Sequence, residues 1–581
     1  MSNFIMSINP GLLLILAGVI SAVMPIQRVR QILAIGTPLI AMVLLSGAVQ
    51  DTDLVTLNAM GVDMVLYRVD NLSFIFGLAF LIAATLNGIY ALHQDSIIED
   101  SSALIYAGAA VAGTFVGDFM SLFVFWELTA ISSVFLILKT GTRAAYGAAM
   151  RYLGVQVLSG VLLLFGAVQL FAATGNMSLR ALELGADAGT WLLLIAFGIK
   201  AAFPLMHNWL QDSYPRATVV GAVVLSAFTT KLAVYILARV FPGENLLIYI
   251  GAVMTVFPVF FAVIENDLRK VLAYSLNNQV GFMVCAIGVG TELALNGAAA
   301  HAFAHIMYKG LLFMSMGAVL YRTGTTKASE LGGLYKSMPW TALFCIIGAA
   351  SISAFPFFSG FVAKSLTMSA VLAEHHYIIW GMLLFASAGV LEHSGIKIPY
   401  FAFFGHDSGK RVEEAPFNML LAMGIAAFIC VSIALPAGAG LGYGFLYSLL
   451  PSPDVALGYN PYTFEHVLTQ MQLLILAAFA FVLLKRFGMY PPEKPGTVLD
   501  SDWLYRRAGY GTALWGGAVW TKIGPALMSV WQGLLKHATE RIEATFSPQG
   551  LLSRGPLTGG MAVWSGVLLG AVLLMSFLSN N

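Results

Sequence analysis

The sequence predicts an all-α polytopic membrane protein whose middle is built from two inverted five-helix repeats, each containing a broken helix. Three observations carry this. Of 581 residues, 59% are apolar and 10% are charged, where soluble domains average about 25% charged. The mean hydropathy is +0.82, more apolar surface than a soluble globule can hide. Long apolar stretches also recur along the whole chain, each near the roughly 20 residues that span a bilayer as a helix. A soluble enzyme, a secreted domain and a nucleic-acid binder are excluded. The net charge is +1, with no global preference for an acidic partner. Cys285, Cys345 and Cys430 lie far apart inside apolar runs. They form no iron–sulfur, zinc or disulfide framework, so no cofactor is expected.

The spans, in order, run 9–25, 31–49, 70–92, 102–117, 119–138, 152–173, 190–206, 217–240, 246–263, 271–289, 298–321, 340–372, 377–404, 417–436, 470–484 and 562–578. Met1 to Pro10 has neither a basic n-region nor a small-residue cleavage site, so the first helix is expected to stay as an anchor. The run 340–372 is too long for one simple span and contains Pro356 and Gly360. It reads as one broken helix, and Pro204 interrupts 190–206 in the same way.

Orientation follows from Lys and Arg in the loops. With the N-terminus outside, the inside loops before the C-terminal region carry Arg28, Arg30, Lys139, Arg143, Arg151, Arg216, Arg269, Lys270, Arg322, Lys327, Lys336, Lys410 and Arg411. The outside loops carry only Arg68 and Arg180. The resulting organisation is N-terminal helices over 1–101, a first repeat over 102–240, a second over 246–404, and further helices over 405–485. A cytoplasmic segment over 486–560 and a last helix over 561–581 follow. Each repeat has five helices, an odd number, so the second must be inserted upside down. The segment 486–560 opens on Pro491, Pro492 and Pro495 and carries Trp515, Trp520 and Trp531. It reads as an interfacial amphipathic helix, as a docking surface for a partner subunit, or as both.

Ionisable residues inside the spans are the functional signal. They are Glu127, Lys200, Lys231, His301, His305, Lys309, Lys364, Glu392 and Lys397. Each such charge costs about 2.5–3.5 kcal/mol at a helix centre. Six or seven together exceed the roughly 5–15 kcal/mol net stability of a domain. They must therefore face one another or water, and an ion or proton pathway is the default reading. His301, His305 and Lys309 follow at i, i+4 and i+8, on one helix face. A histidine pair there suits proton relay or structural hydrogen bonding; a metal site would lack a third ligand. Lys200 precedes Pro204 by four residues, and Lys364 follows Gly360 by four, so each sits beside a helix break, where transporters place ion sites. Lys231 lies mid-span among Phe228-Thr-Thr-Lys-Leu-Ala-Val-Tyr235. Glu127 follows Phe123-Val-Phe-Trp126. Glu127 and Lys200 are expected to pair, their separation releasing a proton from Lys200. Glu392, His393 and Lys397 mark either a pathway exit or a structural cluster.

The motifs then form one series. They are Phe123-Val-Phe-Trp126-Glu127-Leu128, Gly198-Ile-Lys200-Ala-Ala-Phe-Pro204-Leu-Met-His207-Asn-Trp-Leu210, Asp212-Ser-Tyr-Pro-Arg-Ala217 and Lys231. Asp267-Leu-Arg-Lys-Val-Leu-Ala-Tyr-Ser275, His301-Ala-Phe-Ala-His305-Ile-Met-Tyr-Lys309-Gly-Leu-Leu-Phe313, Glu330-Leu-Gly-Gly-Leu334 and Ser359-Gly-Phe-Val-Ala-Lys364 complete it. Over about residues 65–405 this resembles the antiporter-like subunits shared by complex I, membrane-bound hydrogenases and Mrp-type cation/proton antiporters, above all the D-type subunit of the last.

The resemblance implies about 14 core helices plus about two C-terminal ones. It also implies a central proton-moving axis at Glu127, Lys200, Lys231, His301, His305, Lys309 and Lys364. Two departures stand out. One proline rather than a pair precedes Ser359-Gly360, implying a shallower break. The glycines 509, 511 and 516 and Pro525 interrupt 503–545, so the long lateral helix of the largest complex I subunit is not expected there.

The function expected is a proton-translocating subunit of a multisubunit monovalent cation (Na+)/H+ antiporter, a transporter rather than a catalyst by itself. The alternative is the equivalent subunit of a complex I-like NADH-quinone oxidoreductase or membrane-bound hydrogenase; a scaffold that has lost transport is a third reading. Expected partners are other integral membrane subunits, protons, Na+ or another monovalent cation, and the lipid bilayer, with no nucleic acid. The bacterial inner membrane is the expected location. Carboxylates for a dedicated sodium site are few: Glu127, with Asp70 and Asp118 flanking spans.

Overall fold

The computed structural model describes residues 8–48, 52–59, 62–436, 442–496, 498–546 and 558–579. The chain forms two compact units, Met1–Asp500 and Ser501–Asn581, and is mostly helical. Ten helices among the described residues are long and apolar enough to cross a membrane, and six shorter apolar helices accompany them.

The first unit begins with α1 (Pro10–Val23) and α2 (Gln27–Ser46), then a hairpin of β1 (Thr52–Ala59) and β2 (Val62–Val69). The antiparallel register pairs Thr52 with Val69 and Ala59 with Val62. This hairpin corrects the all-α expectation. Its residues alternate in the β-branched pattern of a strand, but the stretch lies between two spans and its period was overshadowed by theirs. It docks on the end of a helix: Arg68 N donates to Phe115 O at 2.7 Å and Gly117 N to Val65 O at 2.8 Å.

Next come α3 (Asn71–Tyr90), α4 (Ile97–Thr114), α5 (Phe119–Leu138), α6 (Arg143–Thr174), α7 (Ala188–Ala201), α8 (Asn208–Ser213), α9 (Val219–Ala227) and α10 (Thr229–Val240). α11 (Asn245–Ile264), α12 (Leu268–Val289), α13 (Glu292–Thr323), α14 (Pro339–Ile352), α15 (Ser359–Ala373) and α16 (Tyr377–Val390) follow. α16 runs on through π-helical turns at Leu391–Ile396 and Tyr400–Phe404. α17 (Phe417–Ser432), α18 (Gly442–Ser448), α19 (Pro453–Gly458) and α20 (Phe464–Arg486) close the unit.

Short polar residues start most of these helices, as orphan N–H groups require. Asp70 accepts from Ser73 N, Asp118 from Ser121 N, Thr142 from Ala145 N, Asp187 from Thr190 N, Thr218 from Gly221 N and Thr291 from Ala294 N. Gly175, Gly290 and Gly324 end α6, α12 and α13 in the left-handed conformation that glycine adopts without cost.

Both proline breaks are present. The first spans Ala202–His207, with positive φ at Ala202 and Leu205; the second spans Ser353–Phe358, with positive φ at Ala354 and Phe357. Each is built on Ala-Phe-Pro, with the left-handed residues on either side of Phe-Pro. The second break is as long as the first, so the shallower break expected from its single proline is corrected. A third interruption, at Phe228 between α9 and α10, has no proline and was not expected. Such non-glycine positive φ values are strained, and here they cluster where buried lysines sit.

α12 is buried along its whole apolar window, and α13 and α9–α10 nearly so. Close helix packing uses small residues, as membrane helices require. A Cβ at Gly281 would stand 2.7 Å from Thr255 N and 2.8 Å from Gly251 O, which are backbone atoms with no way to yield. Gly281→Leu is expected to cost at least about 1–3 kcal/mol, the usual penalty of overpacking, by forcing α11 and α12 apart. Thermal melting of the purified complex in detergent checks this; an unchanged melting temperature would refute the packing argument.

In the second unit a π-helical turn over Leu504–Gly509 leads into α21 (Tyr510–Phe546), and α22 (Thr558–Ser579) follows. α21 is continuous for 37 residues despite its glycines and Pro525, about 55 Å long at 1.5 Å per residue. This overturns the expectation that Gly509, Gly511, Gly516 and Pro525 would prevent a long helix. Glycine weakens a helix by about 1 kcal/mol without breaking it, and proline removes one hydrogen bond. Trp515, Trp520 and Trp531 are exposed on it.

Candidate functional site

The breaks place the lysines. Lys200 lies in the last turn of α7, two residues before the left-handed Ala202. It is fully buried. Its Nζ donates to Trp126 O at 2.5 Å and to Thr129 Oγ1 at 2.8 Å, and lies 4.2 Å from the centroid of the Trp126 ring. Cation–π contact and helix carbonyls thus replace water around the ammonium. Trp126 is fixed in turn: its Nε1 donates to Ser159 Oγ at 2.9 Å, and Ser159 Oγ donates to Ala196 O at 2.7 Å.

Glu127 does not form the direct pair expected with Lys200. No N···O contact within ion-pair range joins them, although each feels the other's charge. The half-buried Glu127 instead rests against Gly160, where a Cβ would overlap its Oε1. That oxygen has no hydrogen-bond partner among the described residues. The reason is geometric: residues 126 and 127 lie about 100° apart on α5, and Lys200 follows the Trp126 side.

The second group surrounds α13. His301 Nε2 lies 3.1 Å from Gln279 Oε1 and 3.0 Å from the Tyr308 hydroxyl, which itself donates to Gln279 Oε1 at 3.0 Å. The His301 and His305 rings are 6.3 Å apart. His305 feels the charges of Lys231, Lys309, His301 and Lys364, and neither of its ring nitrogens has a hydrogen-bond partner among the described residues. Lys309 Nζ is also without one. Lys231, just past the Phe228 interruption, donates to Ser226 O at 2.5 Å, a carbonyl freed by that interruption. Lys364 does likewise at the second break, donating to Ile352 O at 2.9 Å. All of these are buried. Lys364 also borders a cavity of about 320 Å³ shared with Ser365, Ser369, Trp380, Glu465 and Gln470.

His393 continues the series. It feels Lys309, Lys364 and Lys397, and its Nδ1 meets Ser394 Oγ at 2.8 Å, which donates to Ser275 Oγ at 2.8 Å. Lys397 donates to Val263 O at 2.6 Å and Glu265 O at 2.7 Å, and pairs with Glu493 at 3.2 Å. Glu392 faces Tyr490 and Lys397.

A ladder of hydroxyls lies between the two groups. Ser133 Oγ donates to Thr129 O at 2.6 Å and meets the Tyr152 hydroxyl at 2.7 Å. Tyr152 interacts with Thr229, whose hydroxyl meets Tyr106 at 2.6 Å. Thr229 stands two residues before Lys231.

Sequence reasoning missed Gln279, Tyr308, Glu493, Asp500 and His207. The run Asn277-Asn278-Gln279 in mid-span was a legible signal; Glu493 and Asp500, in a proline-rich stretch, carried none. Asp70 and Asp118 are spent otherwise. Asp70 caps α3 and pairs with Arg239 at 2.7 Å; Asp118 caps α5 and accepts from Val65 N at 2.8 Å. Among the described residues no group of three or more His, Cys, Asp or Glu could hold a metal ion.

A family model described as NADH:quinone oxidoreductase/Mrp antiporter, TM, matches residues 116–390, the stretch that holds Glu127, Lys200, Lys231, His301, His305, Lys309 and Lys364. The chain is 31% identical over 348 residues to the D subunit of a Na(+)/H(+) antiporter from Alkalihalophilus pseudofirmus, covering 56% of this chain and 70% of that one. It is 28% identical over 468 residues to hydrogenase-4 component B of Escherichia coli, covering 70% and 69%. Among solved structures, a chain of the Mrp complex from Dietzia sp. DQ12-45-1b superimposes with a TM-score of 0.69 at 21% identity, covering 82% of this chain and 100% of that one. The chain belongs to the NADH:quinone oxidoreductase/Mrp antiporter family of multi-pass membrane subunits.

Proposed function

We propose that this chain is the proton-translocating subunit of a multisubunit Na+/H+ antiporter in the bacterial inner membrane, N-terminus outside. Protons move along Glu127, Lys200, Lys231, His305, His301, Lys309 and Lys364, with Glu392 and Lys397 at one end. The observation that carries this is the file of buried bases, few with a counter-ion among the described residues, in which Lys200, Lys231 and Lys364 each sit beside a helix interruption and donate to a backbone carbonyl. A structural ion would be paired; these groups are arranged to gain and lose protons.

The core is two inverted halves, 102–240 and 246–404, within about 14 helices. Matched features support this. α6 and α13 both have 32 residues and end on a left-handed glycine. Asp118 bridges to Ser178 and Asp267 to Lys327, with equal spacing in both cases. Each aspartate caps the next helix, and each half has an Ala-Phe-Pro break.

The test is sodium-driven proton movement. In everted membrane vesicles energised by respiration, adding NaCl is expected to dissipate ΔpH only where the chain and its partner subunits are present. A second reading, a subunit of a redox-driven pump, draws on the match to hydrogenase-4 component B, which extends over more of this chain than the antiporter match. It predicts iron in the purified native complex and no response to sodium. Sodium-dependent flux without iron supports the first reading and overturns the second.

A further inference from the structure

After α20 the chain turns back over residues 487–496 and 498–500 and sends two acidic side chains inward. Glu493 is 3.2 Å from Lys397 Nζ, with side chains 8% and 0% exposed. Asp500 Oδ2 lies 3.1 Å from His207 Nε2 and accepts from the Tyr274 hydroxyl at 3.0 Å; the Asp500 and His207 side chains are 5% and 2% exposed. The two bases belong to different halves. His207 ends the break that follows Lys200, and Lys397 lies on the α16 continuation near His393. One short segment therefore places an acid against a buried base in each half.

The remaining ends of these contacts are polar and close to water. Pro495 and Gly496 wall a cavity of about 310 Å³ with Gln211, Asp212, Glu265 and Lys270. Glu265 also gives its carbonyl to Lys397. The Gln211 side-chain amide and His207 Nδ1 have no hydrogen-bond partner among the described residues. A purely structural strap would satisfy these groups. The cavity is flanked by Arg216, Lys270 and Lys327, from loops that the charge asymmetry assigns to the cytoplasm.

We infer that residues 487–496 and 498–500 form a proton-loading strap, in which Glu493 and Asp500 take protons from the cytoplasmic water and deliver them to Lys397 and His207. A carboxylate binds a proton from water; the carboxyl then passes it to the neutral amine or imidazole beside it, leaving a carboxylate against an ammonium or imidazolium. The base sends the proton inward, and the carboxylate is ready again. Burial raises the Glu493 carboxyl above the ordinary glutamate range, while Lys397 and Lys485 oppose that shift and Glu265 adds to it. Glu392 and Tyr490 also face it. Because one strap serves both halves, displacing it changes the loading of both at once.

This rests on the proton-path reading above, and the experiment separates the two. Everted vesicles holding the complete complex are prepared with wild-type chain, Lys200→Met, Glu493→Gln, Asp500→Asn, the Glu493→Gln/Asp500→Asn double variant, and the conservative Glu493→Asp. Lys200→Met with wild-type flux overturns the path itself. With Lys200→Met inactive, the double variant is expected to lose about a hundredfold in flux, the scale of a lost acid–base group. Glu493→Gln is expected to change the pH profile, and Glu493→Asp to restore it. Wild-type flux at every pH in the double variant overturns the strap. A strap that only braces the fold would lower flux equally at all pH values. Infrared difference spectra between acid and alkaline pH add a readout independent of flux: the buried-carboxyl signal of wild type is expected to lose one component in Glu493→Gln, the remainder belonging to Glu127 and Glu392. An unchanged carboxyl signal in Glu493→Gln, or no such signal in wild type, refutes the assignment.

Discussion

Replacing Lys200 with methionine is expected to abolish proton movement while leaving the protein as stable as before, or more so. Two separate arguments meet here. A lysine at a helix centre costs about 2.5–3.5 kcal/mol on the insertion scale, and methionine fills nearly the same volume without the charge. Removing the ammonium leaves no acceptor stranded. Trp126 O still receives the Thr129 hydroxyl at 2.7 Å, and Trp126 remains tied to Ser159. The loss falls on transport, because Lys200 is the cationic group that Glu127 feels. Flux in everted vesicles should fall about a hundredfold, with an equal amount of chain in the membrane and a melting temperature that is equal or higher. A residue kept at the expense of stability is kept for function. If Lys200→Met melts several degrees lower and transports normally, the ammonium is a structural tie and the pathway runs elsewhere.

What the sequence revealed, and what it concealed, divides along physical lines. Each predicted span coincides with helix because apolar length is a local property, readable in a window of about 20 residues. The breaks at Pro204 and Pro356 were equally legible, since proline acts on its own turn. The interruption at Phe228 was not. It arises where Tyr106 takes the Thr229 backbone N–H at 3.0 Å, a contact 123 residues away in sequence. The β1–β2 hairpin was hidden by its surroundings, and α21 by an overestimate of what glycine does to a helix. Within the site, buried charges were visible because charge in an apolar run is costly, whereas their neighbours were visible only in part. Gln279 was missed, although the two asparagines before it in α12 made a polar run in mid-span that could have pointed to it. Glu493 and Asp500 lie in a stretch polar enough to pass for an ordinary loop, and only folding shows them turned inward. Glu127 and Lys200 were matched to the right region but not to the right contact, because one residue along α5 rotates the side chain out of reach.

Substituting Gly160 with valine is expected to depress transport as far as Glu127→Gln does, although residue 160 carries no charge. Gly160 faces α5, and any Cβ there would occupy the position of the Glu127 Oε1. That atom ends a flexible side chain, so the helices need not separate; the carboxylate swings away and α6 still packs. The fold tolerates the change and the electrostatics around Lys200 do not. Gly154, on the same helix, is a control: a Cβ there meets open space, and Gly154→Val should transport as wild type. The decisive measurement is the double variant. If Gly160 acts by seating the carboxylate, Glu127→Gln/Gly160→Val is no worse than either single change, the non-additivity expected of two residues serving one interaction. Losses that add would mean that Gly160 contributes packing alone. Wild-type flux in Gly160→Val beside a crippled Glu127→Gln would mean that the carboxylate is needed but its position against α6 is not, and the path between Glu127 and Lys200 would have to tolerate a mobile acid.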